Sequence, residues 1–169
     1  GSIVAIEPST GEVLCMVSSP TYDPRQMVGR LRKNKFKQLN KDPHLPLINR
    51  SIAGTYPPGS TFKTTQGLTF MNEGIITPTT QFGFHYRGLR VGCHGHGSPL
   101  ALVPALSTSC NAFFCWGLYH MIGARSKYGS VQNAMDTWRD YMVSMGFGYQ
   151  VGIDLPGERR GLIPNAQLY

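Results

Sequence analysis

Carboxylates are scarce in this chain: nine Asp and Glu stand against 16 Lys and Arg, leaving a formal charge of +7 over 169 residues. Long apolar runs are missing too, and none approaches the ~20 residues that a membrane-spanning helix needs. There is no signal-peptide pattern, no internal repeat and no low-complexity tract. The chain begins Gly1-Ser2 without an initiator methionine, so the sequence reads as a piece whose true amino terminus lies elsewhere. Charged residues are only 15% and apolar ones 41%, which excludes compositional disorder and allows one modest core. No zinc-finger spacing or RNA-binding signature occurs, which argues against a nucleic-acid partner.

Against these absences, one segment concentrates chemistry. Tyr56-Pro57-Pro58-Gly59-Ser60-Thr61-Phe62-Lys63 sets a serine three residues before a lysine, where a helix should begin. Two prolines and a glycine forbid helix before Ser60, and Ser and Thr favour helix N-termini. The stretch from Phe62 to Met71 carries no proline and runs to Gly74, a natural helix end. Residues three apart share a helical face, so a hydroxyl and an amine become neighbours beside free backbone N–H groups. That is a nucleophile, a base and half of an oxyanion site. Two other readings apply to the same residues. Ser60 serves equally as a simple N-cap with Lys63 solvated. Gly54 to Thr61 also approximates a phosphate loop, but the expected lysine is Ser60 and two prolines delete the donors that such a loop exists to offer.

Some fifty residues later, Ser107-Thr108-Ser109-Cys110-Asn111 places Ser109-x-Asn111 just ahead of an apolar, helix-like run. Ser-x-x-Lys followed by Ser-x-Asn is the pairing found in penicillin-binding proteins and serine β-lactamases. The flanks carry the likeness further. Ile6 to Leu14 resembles the first hairpin of that family, Asn49 to Lys63 its nucleophile segment, and Met145 to Gly148 with Gly152 to Glu158 its downstream loop. The chain resembles class B penicillin-binding proteins, the monofunctional D,D-transpeptidases, and most of all the elongation-type penicillin-binding protein 2.

The resemblance implies an α/β (α+β) fold of the transpeptidase and serine β-lactamase kind, with residues 1–169 forming its N-terminal and central part. It implies acyl transfer without a required cofactor. Ser60 would attack the D-Ala-D-Ala carbonyl of a peptidoglycan stem peptide, Lys63 would take its proton, Ser109 would relay a proton toward the leaving nitrogen, and Asn111 would hold the substrate backbone and Lys63. β-Lactam antibiotics would trap Ser60. Further implied partners are a cell-wall glycosyltransferase and the elongation machinery, with membrane attachment through an upstream anchor and the catalytic domain on the outer, periplasmic face of the cytoplasmic membrane. A β-lactam sensor or a serine β-lactamase-like protein would share both motifs. The family's third element, Lys-Thr-Gly or Lys-Ser-Gly on a strand, is nowhere in these residues. The fragment alone is therefore expected to be inactive.

A second cluster, Cys93-His94-Gly95-His96-Gly97, lies upstream of Cys110. Thiolate and imidazole ligands suit Zn²⁺, and the resemblance implies a metal site of this kind. Cys93, His96 and Cys110 are its candidate ligands, with His94 a further one, for a structural zinc. The spacing fits no standard zinc template, so a polar loop beside a buried free thiol is the plainer reading, and a disulfide is open as well. Cys15 and Cys115 sit in apolar runs and read as core.

Alternation predicts strands at 2–7 and 12–18 around the turn Pro8-Ser9-Thr10-Gly11. Helices are expected at about 60–73, 100–108, 111–122 and 128–145, the last presenting Val131, Met135, Trp138, Met142 and Met145 to the core. Positions 20–59 are rich in proline and read as loop. Within them, 29–50 hold seven cations and one acid, Asp42, for a net +6. This reads as a solvated surface loop, with attraction to anionic lipid or cell-wall polymer as the other reading.

Overall fold

The computed structural model describes residues 1–168, which form two compact units. One comprises Gly1–Tyr56 with Tyr149–Gly161, the other Pro57–Gly148 with the described residues from Leu162 on. Helix and strand are mixed, as an α/β fold requires.

The first unit starts with the expected hairpin. Strands β1 (Ser2–Ile6) and β2 (Val13–Ser18) pair antiparallel with Ser2 opposite Ser18, and a bulge falls between Ala5 and Ile6. Gly11 closes the turn at φ +79°, a conformation that glycine adopts without a Cβ clash. Both faces of the hairpin are largely exposed, Ile3 and Leu14 included. Cys15 is exposed on β2 and is not core.

The basic stretch is not a loop. Residues Arg32–Asn40 form helix α1, between Gly29 at φ +73° and Pro43. Its sequence, RKNKFKQLN, contains no Gly, Pro or β-branched residue and is rich in good helix formers. It lacks an apolar stripe, so periodicity gives no helix signal. A short helix α2 (Arg50–Ala53) follows, capped by the Asn49 side chain accepting from the Ser51 N–H. The Arg50 guanidinium donates to the carbonyls of His44 and Leu45, closing the preceding loop.

The second unit holds the core. Helix α3 (Lys63–Asn72), strands β3 (His85–Tyr86) and β4 (Leu89–Arg90), and helices α4 (Leu102–Ser107), α5 (Asn111–Gly123), α6 (Arg125–Tyr128) and α7 (Val131–Ser144) surround Phe70, Phe113, Phe114, Trp116, Met121, Trp138 and Met142. The approach of α3 to α5 depends on Gly117, where a Cβ would stand 2.6 Å from the Phe70 ring. Helix α5 is apolar all round, so its sequence does not say which residue faces out. Cys115 does, and the expectation of a core position fails there too. The helix expected over 128–145 is broken by Gly129 at φ +78° and restarts at Val131, where Ser130 accepts from the Asn133 N–H. Met135, Trp138 and Met142 are buried, but Met145, past the helix end, is 37% exposed.

The end of α3 is fastened by a carboxylate. Gly74 terminates it at φ +65°. The preceding Glu73, 12% exposed, accepts from the hydroxyls of Tyr128 and Tyr141 at 2.6 and 2.7 Å and pairs with Lys127 at 2.7 Å. The Lys127 ammonium, then the Tyr128 and Tyr141 hydroxyls, hold its carboxyl down at about 2 against the opposing pull of burial.

Candidate active site

Pro58 is already in the right-handed helical region (φ −69°, ψ −18°), and Gly59, at φ +60°, turns the chain into a 3-10 turn over Gly59–Phe62. That turn leads into α3, so Ser60 sits at the head of a helix where leading N–H groups have no intrahelical acceptor. Lys63 opens α3 and is 9% exposed. A buried cation needs partners for every donor. Lys63 Nζ has three: the Ser109 carbonyl at 2.6 Å, the Ser109 hydroxyl at 3.0 Å and Asn111 Oδ1 at 2.7 Å. These match the three N–H groups of an ammonium. The Phe114 ring lies 5.9 Å from Nζ.

The serine and the lysine are joined through a third group. Ser109 Oγ donates to Ser60 Oγ at 2.8 Å while accepting from Lys63. The expected side-by-side contact along one helical turn is thus replaced, among the described residues, by a hydroxyl bridge. The reason is the donor count: Lys63 Nζ spends its three N–H groups on Ser109 and Asn111, so it reaches Ser60 through the Ser109 hydroxyl.

Ser109 reaches this position because it ends α4. The Ser109 N–H donates to the Leu106 carbonyl and the Cys110 N–H to the Ala105 carbonyl, the two bonds of a Schellman motif. Its left-handed residue is normally glycine, yet here it is Ser109 at φ +53°. One residue on, Cys110 caps α5, its sulfur accepting from the Phe113 N–H. Thr108-Ser109-Cys110 is therefore a three-residue junction between helices, and its sharpness throws the Ser109 and Asn111 side chains the same way. The Asn111 amide is fixed in turn, its Nδ2 donating to the Gly92 carbonyl at 3.3 Å. The glycine-rich segment supports the site through a backbone oxygen, a role that no side-chain motif announces.

Cys93, His96 and Cys110 also converge. Their ligand atoms lie within 4.8 Å of one another and the two sulfurs are 3.5 Å apart. No disulfide joins them. His94 is exposed and outside the group. Burial pushes the Cys93 thiol up, but the Ala112 backbone, His96, Cys110 and the Asn111 backbone outweigh it and bring it down to about 7. Burial raises Cys110. His96 Nδ1–H donates to the Gly97 carbonyl at 2.7 Å, while its buried Nε2 has no partner. An orphaned imidazole nitrogen beside two sulfurs is a donor set that fits a thiophilic divalent ion.

The family follows from comparison. The penicillin binding protein transpeptidase domain family matches residues 1–169, and the chain belongs to it. Among curated relatives, the peptidoglycan D,D-transpeptidase MrdA of Acinetobacter baumannii is 33% identical over 99% of this chain and 24% of its own length. The chain thus spans about a quarter of that relative. Among solved structures, Pseudomonas aeruginosa PBP2 in complex with WCK 5153 superposes with a TM-score of 0.79 at 31% identity, covering 99% of this chain and 37% of that one. The Helicobacter pylori complex between PBP2 and MreC gives 0.75 at 30% identity, over 99% and 30% of the two chains. Penicillin-binding protein A from M. tuberculosis, as its penicillin G acyl-enzyme, gives 0.68 at 29%, over 88% and 34%.

Proposed function

We propose that this chain is the nucleophile-bearing part of a peptidoglycan D,D-transpeptidase in which Ser60, Lys63, Ser109 and Asn111 carry acyl transfer. The observation that carries the reading is the continuous path from Ser60 Oγ through Ser109 Oγ to Lys63 Nζ. Once the Lys63 ammonium has released one proton to solvent, its longest contact, to Ser109 Oγ, is the one left facing a lone pair. Ser60 then attacks the penultimate D-Ala carbonyl, its proton passing to Ser109 as the Ser109 proton passes to Lys63. The new Oγ–C bond replaces the C–N bond, and terminal D-Ala leaves with a proton returned along the same path. An amine of a second stem peptide then attacks the acyl carbon; the new C–N bond replaces the Oγ–C bond, and the amine proton passes along the same path to Ser60 Oγ, freeing the serine. The Ser60 N–H supplies one oxyanion donor. No cofactor takes part.

The penicillin G acyl-enzyme of the M. tuberculosis relative supports β-lactams as trapping ligands, and the MreC complex of the H. pylori relative supports the elongation machinery as a partner. A cell-wall glycosyltransferase and a place on the outer face of the cytoplasmic membrane complete the reading. Cys93, His96 and Cys110 would hold zinc as a structural ion, tying the 92–97 segment to the head of α5. A fluorescent penicillin tests the proposal. The 169-residue chain, which lacks a Lys-Thr/Ser-Gly segment, should label weakly, and the same chain extended through the rest of its domain should label to about one per molecule. Labelling of the extended protein that survives Ser60→Ala would refute the assignment.

A further inference from the structure

The cations around α1 are not absorbed by acyl transfer. Arg30, Arg32, Lys33, Lys35, Lys37 and Lys41 follow one another without a carboxylate between them. None joins an ion pair among the described residues, and all but Lys35 are exposed. The flanking acids are occupied locally, Asp23 by Arg25 and Asp42 by the backbone and ring of His44. This charge opposes the helix that bears it. Lys33 and Lys37 repel at i, i+4, and Arg32 and Lys33 crowd the positive end of the dipole. A helix charged against its own stability is explained by something outside it.

Apolar side chains stand among the cations. Val28 is 68% exposed, Leu31 67% and Phe36 50%. Met27 and Phe36, with Arg32 and Lys33 beside them, line a groove of about 340 Å³. A soluble polyanion would neutralise the cations and leave these groups in water. A bilayer interface answers both, with phosphates for the cations and the acyl boundary for the apolar tips. We propose that α1 and its flanks form a docking surface for anionic phospholipid. The helix is too polar to enter the hydrocarbon, so it lies along the headgroups.

Co-sedimentation of the full 169-residue chain with vesicles tests this, comparing phosphatidylcholine alone with phosphatidylcholine mixed with phosphatidylglycerol. Binding should require phosphatidylglycerol and fall steeply as salt shortens the screening length. Each cation near an anionic surface is worth roughly a fivefold change in partitioning. The quadruple variant Arg32→Gln, Lys33→Gln, Lys35→Gln, Lys37→Gln should thus bind several hundredfold more weakly, on the order of 10³. A control with the same charge removed elsewhere (Arg87→Gln, Arg90→Gln, Arg125→Gln, Arg160→Gln) should keep most binding. Phe36→Ser should weaken it at unchanged charge. Equal binding to both vesicle types, or equal loss in the two quadruple variants, would overturn the proposal. So would capture by soluble polyglutamate without binding to phosphatidylglycerol vesicles, which would assign the surface to a polymer.

Discussion

The left-handed conformation of Ser109 makes the second motif separable into a backbone effect and a hydroxyl effect. Ser109→Ala and Ser109→Gly both delete the hydroxyl that bridges Ser60 and Lys63, so they should impair acylation alike. They differ only in Cβ. At φ +53° a Cβ costs about 1–2 kcal/mol, while glycine gives back roughly 0.5–1 kcal/mol through its freer unfolded chain. The glycine variant should therefore be the more stable by about 1 kcal/mol, the reverse of the order at an ordinary helical site. In a protein of this length that is a difference of about 2–4 °C in Tm. Urea and thermal unfolding of the two variants, followed by circular dichroism, would measure it. If alanine equals or exceeds glycine, Ser109 is not held left-handed in solution, and the Schellman junction is not what aims the motif.

In the extended protein, Ser60→Ala should abolish the covalent β-lactam adduct, and Lys63→Ala should slow acylation by about 10²–10⁴, read by time-resolved adduct mass spectrometry. Wild-type acylation in Lys63→Ala would remove the lysine from the mechanism. For Glu73 the folded carboxyl lies near 2 against 4.5 for an unperturbed glutamate, so its contribution is fully present above 4.5 and is lost as pH falls toward 2. Allowing for the 45% exposure of its partner Lys127, that is about 2–3 kcal/mol. Urea unfolding across this window should show a slope that Glu73→Gln flattens. Purified protein never exposed to chelators should carry close to one zinc per chain by elemental analysis and lose thermal stability on its removal. Cys110→Ser should abolish the metal, and absence of zinc in the untreated protein would leave Cys93, His96 and Cys110 as a polar cluster.

What the sequence disclosed was mostly what local rules govern. The Pro-Pro-Gly stop before Ser60, the glycine end of α3 at Gly74 and the hairpin around Gly11 are set by neighbours along the chain, and they are legible in it. The residues that converge in the candidate site, Ser60, Lys63, Ser109 and Asn111, can be named from two short motifs. Their connection cannot, because the Ser60–Ser109–Lys63 bridge depends on a serine 46 to 49 residues away held in a glycine-like conformation. Nor can the clamp on Glu73, whose partners lie 54 to 68 residues away. Helix α1 escapes a periodicity reading because polar helices carry no apolar stripe, and the outward turn of Cys115 escapes it because α5 is apolar on every side.

All three acceptors around Lys63 come from residues 46 to 48 positions further along the chain. The turn that carries Ser60 is local and can form early, but the surroundings of Lys63 cannot exist until a loop of nearly fifty residues has closed. Loop closure of that size is an entropic barrier. An unfinished chain then holds Ser60 as an ordinary alcohol and Lys63 as a hydrated cation. On the proposed assignment, reactivity is gated by folding itself: the acylating serine would be born only together with the core that encloses its lysine.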